Sequence, residues 1–172
     1  MKTLIKNGLL IDSANQVQAY LNLILEDGKV VAVTEEEPEA DRVIDATGKV
    51  VAPGFIDIHM HEDPVKDGKI EFCIFDAMLR MGVTTAVGGN CGINVYDPVK
   101  YLDMVEKDGA PVNVMLFAGH QYFREAAGAL DKYAPVTKEQ QEHMKKGLEK
   151  ALEAGCVGIS YGLRYVPGTG RD

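Results

Sequence analysis

The sequence has no apolar run that approaches the length of a membrane span. No membrane-spanning helix is therefore expected. Positive charge is in deficit: the 172 residues carry a formal net charge of −8. Nucleic acids and anionic membranes both select a basic face, so neither is an expected partner. Cysteine is scarce, and Cys73, Cys91 and Cys156 are an odd number without paired spacing. That suits a reducing compartment and thiols with separate roles rather than a disulfide framework. The opening MKTLIKNGLLIDS breaks its apolar run with Lys6, Asn7 and Gly8, so no secretory leader is expected and the cytoplasm is the expected location. Internal repeats and low-complexity linkers are missing too. The acidic run EEEPEAD at 35–41 reads as a solvated loop.

What is present is a globular composition. Hydrophobic residues make up 46% and charged residues 26% of a chain long enough to bury a real core. Residues 1–52 read as short strands and tight turns. YLNLILEDGKVVAVT (20–34) places two β-rich runs around Asp27-Gly28, a hairpin signal, and RVIDATGKVVAPG (42–54) repeats the pattern around Thr47-Gly48. This segment is expected to belong to a small β-sandwich.

The rhythm changes over 53–172. FIDIHMH (55–61) reads as a strand and KIEFCIFDAMLRMG (69–82) as a helix. The helix has Ile70, Cys73, Ile74, Ala77, Met78 and Met81 on one face and Gly82 as its stop. VTTAVGGNCG (83–92) is a strand that ends in glycines. DPVKYLDMVEKDG (97–109) is a helix capped by Asp97, with Pro98 in its first turn. PVNVMLFAGH (111–120) is a strand. A capping box from Thr137 to Gln140 opens a helix that runs to about Ala154, and CVGISYGLRYVPG (156–168) begins as a strand.

Strands that alternate with helices imply βαβ units around a parallel sheet. A doubly wound fold calls for G-x-G-x-x-G after an early strand, and GGNCG (88–92) does not match it. A (β/α)8 barrel instead gathers its chemistry at the C-terminal ends of its strands. His59 and His61, Cys91, His120, and Tyr161 to Tyr165 sit at four such consecutive ends. The expected fold is therefore α/β: the N-terminal half of a (β/α)8 TIM-type barrel, preceded by strands of a small β-sandwich.

On a strand, His59 and His61 share one face and Met60 takes the other. Two such imidazoles are either half of a metal site or a pair of hydrogen-bonded rim histidines. Cys91, between Asn90 and Gly92 at the same sheet edge, offers a thiolate, an excellent zinc ligand; its alternative is a small buried thiol. Cys73 and Cys156 read as packing residues. His120 is placed to touch substrate or the surroundings of a metal. His143, in a charged helix, reads as solvent-facing. Tyr161, Arg164 and Tyr165 either orient a substrate carboxylate or pack a loop. Asp57 shares the histidines' face but lies deeper, so the general base that hydrolysis needs is expected beyond residue 172.

DATGKVVAPGFIDIHMHED resembles the signature that opens the barrel in the amidohydrolase superfamily. GVTTAVGGNCG and AGHQYFR, followed by AGCVGISYGLRYVPG, are similar to the N-acyl-D-amino-acid deacylase (D-aminoacylase) branch. The resemblance implies zinc as cofactor and an N-acyl-D-amino acid as substrate, with zinc-activated water attacking the amide carbonyl. It implies that His59, His61 and Cys91 bind metal, with the thiolate in place of the carboxylated lysine of hydantoinases and dihydroorotases. It also places His120 and Tyr165 near the substrate, and further ligands and a catalytic aspartate on later strands. By itself a half barrel is expected to be inactive, and its open sheet edges invite self-association. The competing expectations are a cyclic-amide hydrolase of the hydantoinase or dihydroorotase kind, and a non-catalytic half barrel.

Overall fold

A computed structural model describes residues 1–131 and 134–164. The chain divides into two compact units, Met1–Pro53 and Gly54–Asp172.

In the first unit, β1 (Lys2–Lys6), β4 (Asn22–Glu26), β5 (Lys29–Thr34) and β6 (Arg42–Asp45) form one sheet in the order β5-β4-β1-β6. A second sheet has the order β3-β2-β7, built from β2 (Leu9–Asp12), β3 (Val17–Tyr20) and β7 (Val50–Val51). The β4–β5 hairpin turns at Asp27-Gly28 with φ of 49° and 76°. Two successive positive values match a type I′ turn, whose twist suits the flanking strands. Leu4, Leu10 and Ile24 are the buried apolar residues of the strands. An apolar cavity of about 570 Å³ is lined by Leu10, Val17 and Val51 of one sheet and Leu23, Val30 and Val33 of the other.

The second expected hairpin, around Thr47-Gly48, does not form. β6 runs parallel to β1 and β7 parallel to β2, so the chain crosses from one sheet to the other. Two contacts impose that course. The Ala46 N–H donates to the Lys6 carbonyl at 2.8 Å, and the Leu9 N–H to the Lys49 carbonyl at 3.0 Å. The corner at 46–49 thus follows the corner that joins β1 to β2. Asp45 fixes it by accepting from the Thr47 hydroxyl at 2.6 Å and the Asn7 amide at 3.1 Å.

The second unit carries a curled, all-parallel sheet, the half barrel expected from the sequence. Its order is β13-β12-β11-β8, with β8 (Phe55–Asp57), β11 (Val83–Gly88), β12 (Asn113–Gly119) and β13 (Gly158–Ser160). Helix α1 (Ile74–Arg80) connects β8 to β11, and α2 (Pro98–Asp108) connects β11 to β12. Two helices, α3 (His120–Ala126) and α4 (Lys138–Glu153), connect β12 to β13. The core between sheet and helices centres on Phe75, Ala86, Tyr101, Leu116, Ala118 and Ala151, each at most 1% exposed. No helix among the described residues is long and apolar enough to cross a membrane.

Caps read from the sequence appear in α2 and α4. Asp97 accepts the Lys100 N–H at 3.0 Å, and both arms of the Thr137–Gln140 capping box are made. The first helix differs: it spans Ile74–Arg80, not 69–82. A small hairpin, β9 (Val65–Lys66) with β10 (Lys69–Ile70), takes its first residues and turns at Asp67-Gly68. The buried face is Phe75 and Met78, while Ile74, Leu79 and Met81 are exposed. Helix α3, which follows β12 without a break, was not foreseen.

Candidate metal centre

The first strand stops at Asp57 rather than at residue 61, and its side chain explains why. The Asp57 carboxylate accepts the His59 N–H at 2.9 Å, a turn that takes the backbone out of the ladder. Beyond it the Met60 N–H still reaches the Val87 carbonyl at 3.4 Å. Met60 is buried, and His59 and His61 are exposed. The alternation expected of a strand therefore survives past the strand's end. The two imidazoles lie edge to face, with centroids 6.4 Å apart.

Cys91 arrives from the neighbouring strand. After Gly88 the backbone enters the left-handed region at Gly89 (φ 71°), Cys91 (φ 59°) and Gly92 (φ 77°). A Cβ at Gly89 would collide with the Phe117 carbonyl, so only glycine fits there. Cys91 adopts the same region at a steric cost of order 1–3 kcal/mol, of the kind found at sites that the surroundings hold in place. The holders are identifiable. Ser160 on β13 accepts the Gly92 N–H at 2.9 Å and donates to the Gly89 carbonyl. Asn90 is 9% exposed and donates its amide to the Val87 carbonyl at 2.7 Å and to the Ile58 and Met60 carbonyls at 3.3 Å.

The result is a cluster. Cys91 Sγ lies 3.4 Å from His59 Nε2. One donor atom each from His59, His61 and Cys91 fall within 4.8 Å of one another. Bonds of about 2.0–2.3 Å to a tetrahedral zinc ion place neighbouring donors about 3.5 Å apart. The 3.4 Å Cys91–His59 separation and the imidazole–thiolate donor set both fit such an ion.

Beneath the cluster, buried acids organise the strand ends. Glu62 is 3% exposed, and burial pushes its carboxyl up from the ordinary value. The Asn94 amide donates to Glu62 at 2.8 Å and to the Phe117 carbonyl at 3.0 Å, and its oxygen accepts the Gly119 N–H at 2.7 Å. Asp63 is fully buried and accepts from the N–H groups of Cys73, Ile74 and Phe75 at 2.7–3.1 Å, which caps α1. Cys73 thus stands at the helix start, exposed, with its thiol 2.9 Å from Asp63, and not on an apolar helix face. The acids after the second histidine shape the scaffold.

His120 does not join the cluster. It opens α3, and its ring packs on Tyr161 with centroids 5.2 Å apart. Both line a cavity of about 450 Å³ with Phe123, Arg124 and Met144. Tyr165 lies outside the described residues. Cys156 is buried and His143 is exposed on α4. Sequence reasoning missed Asn90, Asn94 and Ser160. Of the three, Asn90 had a local signal, a polar residue set among glycines at a strand end.

The amidohydrolase family profile matches residues 42–162, and the chain belongs to that family. It is 32% identical, over 95% of its own length, to an N-acyl-D-glutamate deacylase of Alcaligenes xylosoxydans xylosoxydans. A crystal structure of N-acyl-D-glutamate deacylase from Bordetella bronchiseptica, complexed with zinc and a phosphonate inhibitor, superposes with a TM-score of 0.81 at 32% identity over 97% of the chain. A D-aminoacylase variant complexed with copper chloride gives 0.84 at 27% identity over 97%. A dihydroorotase of Enterococcus faecalis is 31% identical over 93% of the chain. The chain spans 38% to 40% of the length of the deacylase relatives.

Proposed function

We propose that this chain supplies the first metal ligands of a zinc-dependent N-acyl-D-amino-acid deacylase. One observation carries the reading: donor atoms of His59, His61 and Cys91 converge within 4.8 Å at the C-terminal edge of a parallel half barrel. The deacylase relatives, one of them complexed with zinc, support the substrate class and the metal.

In this reading His59, His61 and Cys91 hold the ion. When bound, zinc polarises the amide carbonyl and activates water for the attack. Asp57 aims His59 through its backbone N–H, and Asn94 ties the segment after His61 to the end of β12. His120 and Tyr165 belong to the substrate side. No general base is assigned among the described residues.

A cyclic-amide hydrolase is the second reading, favoured by the dihydroorotase relative. Zinc-loaded chain, alone and mixed with the complementary C-terminal part of the Bordetella enzyme, separates the readings. Hydrolysis of N-acetyl-D-glutamate but not its L enantiomer, in the mixture only, is the expected result. Turnover of dihydroorotate instead would support the second reading. Zinc binding without turnover of either substrate would favour a non-catalytic half barrel, and absence of zinc binding would overturn both enzymatic readings.

A further inference from the structure

The ladder between β8 and β11 ends at the pair Asp57–Ala86, after an irregularity between Val83 and Thr85. His59 therefore lies outside the regular pairing that could fix its distance from the next strand. Ties that remain include the 3.4 Å contact from the Met60 N–H to Val87, near the limit of a hydrogen bond, the Gly89 N–H that donates to the Glu62 carboxylate, and the amide of Asn90. That amide reaches the carbonyls of Ile58 and Met60, the residues on either side of His59. It also reaches the Val87 carbonyl at 2.7 Å, which anchors it to its own strand. The next residue is Cys91, whose turn is pinned from the far side by Ser160.

We propose that Asn90 is the positioning residue of the metal centre. Its side chain clamps the backbone around His59 to the turn that presents Cys91, and so presets the 3.4 Å separation of Nε2 and Sγ. The inference deepens the metal-binding reading and rests on it. Neutral amide chemistry is required: a carboxylate of the same shape accepts but does not donate, and would face three carbonyl oxygens. Groups that orient metal ligands in this way typically change affinity by about 10- to 100-fold when removed.

The test is Co(II) titration of the folded protein, read by the thiolate-to-cobalt charge-transfer band and the ligand-field bands. Asn90→Ala is compared with the wild type and with Tyr101→Phe. The latter loses a buried hydroxyl bond to the Asp63 carbonyl and touches none of the carbonyls that Asn90 holds. Asn90→Ala is expected to weaken Co(II) by about 10- to 100-fold and to shift the ligand-field bands. Tyr101→Phe is expected to lose stability without changing either readout. If Asn90→Ala does not fold, Asn90→Ser, which keeps a single donor, is expected to give an intermediate affinity. Unchanged affinity and spectrum in a folded Asn90 variant overturn the positioning role. A wild type with no thiolate band overturns the metal reading itself.

Discussion

The Asp63 carboxylate accepts the Phe75 N–H at 2.8 Å, although twelve residues separate them. With the bonds to Cys73 and Ile74, this makes a residue two places after His61 the cap of the helix that packs behind the first strands. Scaffold and site are thereby joined within five residues of sequence.

Asp63→Ala leaves buried N–H groups at the start of α1 without their acceptor. Bonds to a charged acceptor are worth about 1.5–3 kcal/mol each in stability, partly offset here by the burial of the carboxylate itself. A fall of about 2–3 kcal/mol in unfolding free energy is expected from urea denaturation, with far-UV dichroism reporting the loss of helix. An unchanged midpoint would refute the capping role.

The three thiols are expected to react differently. Burial pushes the Cys156 thiol up to about 11, so native protein at pH 8 should leave it unmodified by iodoacetamide. Cys73 is exposed, with a thiol raised first by its bond to Asp63, and should react slowly with or without metal. Zinc should protect Cys91 alone. Peptide mass mapping reads all three, and equal labelling of Cys91 with and without zinc would count against its role as a ligand.

Acid stability of the first unit should depend on Asp45. Bonds from the Thr47 hydroxyl and then the Asn7 amide hold its carboxyl at about 2, below the ordinary 3.8. A lowered carboxyl value stabilises the fold above pH 3.8, and that contribution disappears as pH falls through about 2. Asp45→Asn should remove this part of the pH dependence. Carboxyl NMR titration of the wild type should place the Asp45 midpoint near 2, and a midpoint at 3.8 would contradict the contacts.

The open edge of the half barrel should make the chain associate. Phe55 and Ile56 on β8 are 66% and 64% exposed, and β8 has no neighbour on its outer side among the described residues. Edges of that kind pair with other chains unless charge blunts them. Sedimentation velocity is expected to show association that grows with concentration and falls in Ile56→Lys. A monomer at all concentrations would remove the edge as an interaction surface.

Local signals were legible and distant ones were not. Thr137 with Gln140, Asp97 with Pro98, and Asp27-Gly28 act within four residues and gave their elements from the sequence. The H-x-H spacing put both imidazoles on one face because strand alternation needs no tertiary information. The start of α1 was misplaced because its cap, Asp63, lies ten residues before Cys73, and because Asp67-Gly68 closed a hairpin inside the apolar pattern. Ser160 and Gly92 are 68 residues apart, and only the folded sheet sets that hydroxyl beside the Cys91 turn. Side chains proposed to hold the metal were singled out by their type. Those that hold them in place bond through backbone groups, which every sequence has.

The most direct measurement is zinc K-edge X-ray absorption on the loaded protein. The account predicts one sulfur scatterer at about 2.3 Å with nitrogen scatterers at about 2.0–2.1 Å, the sulfur vanishing in Cys91→Ser and a nitrogen in His59→Ala. A shell without sulfur, or a sulfur that persists in Cys91→Ser, would contradict it.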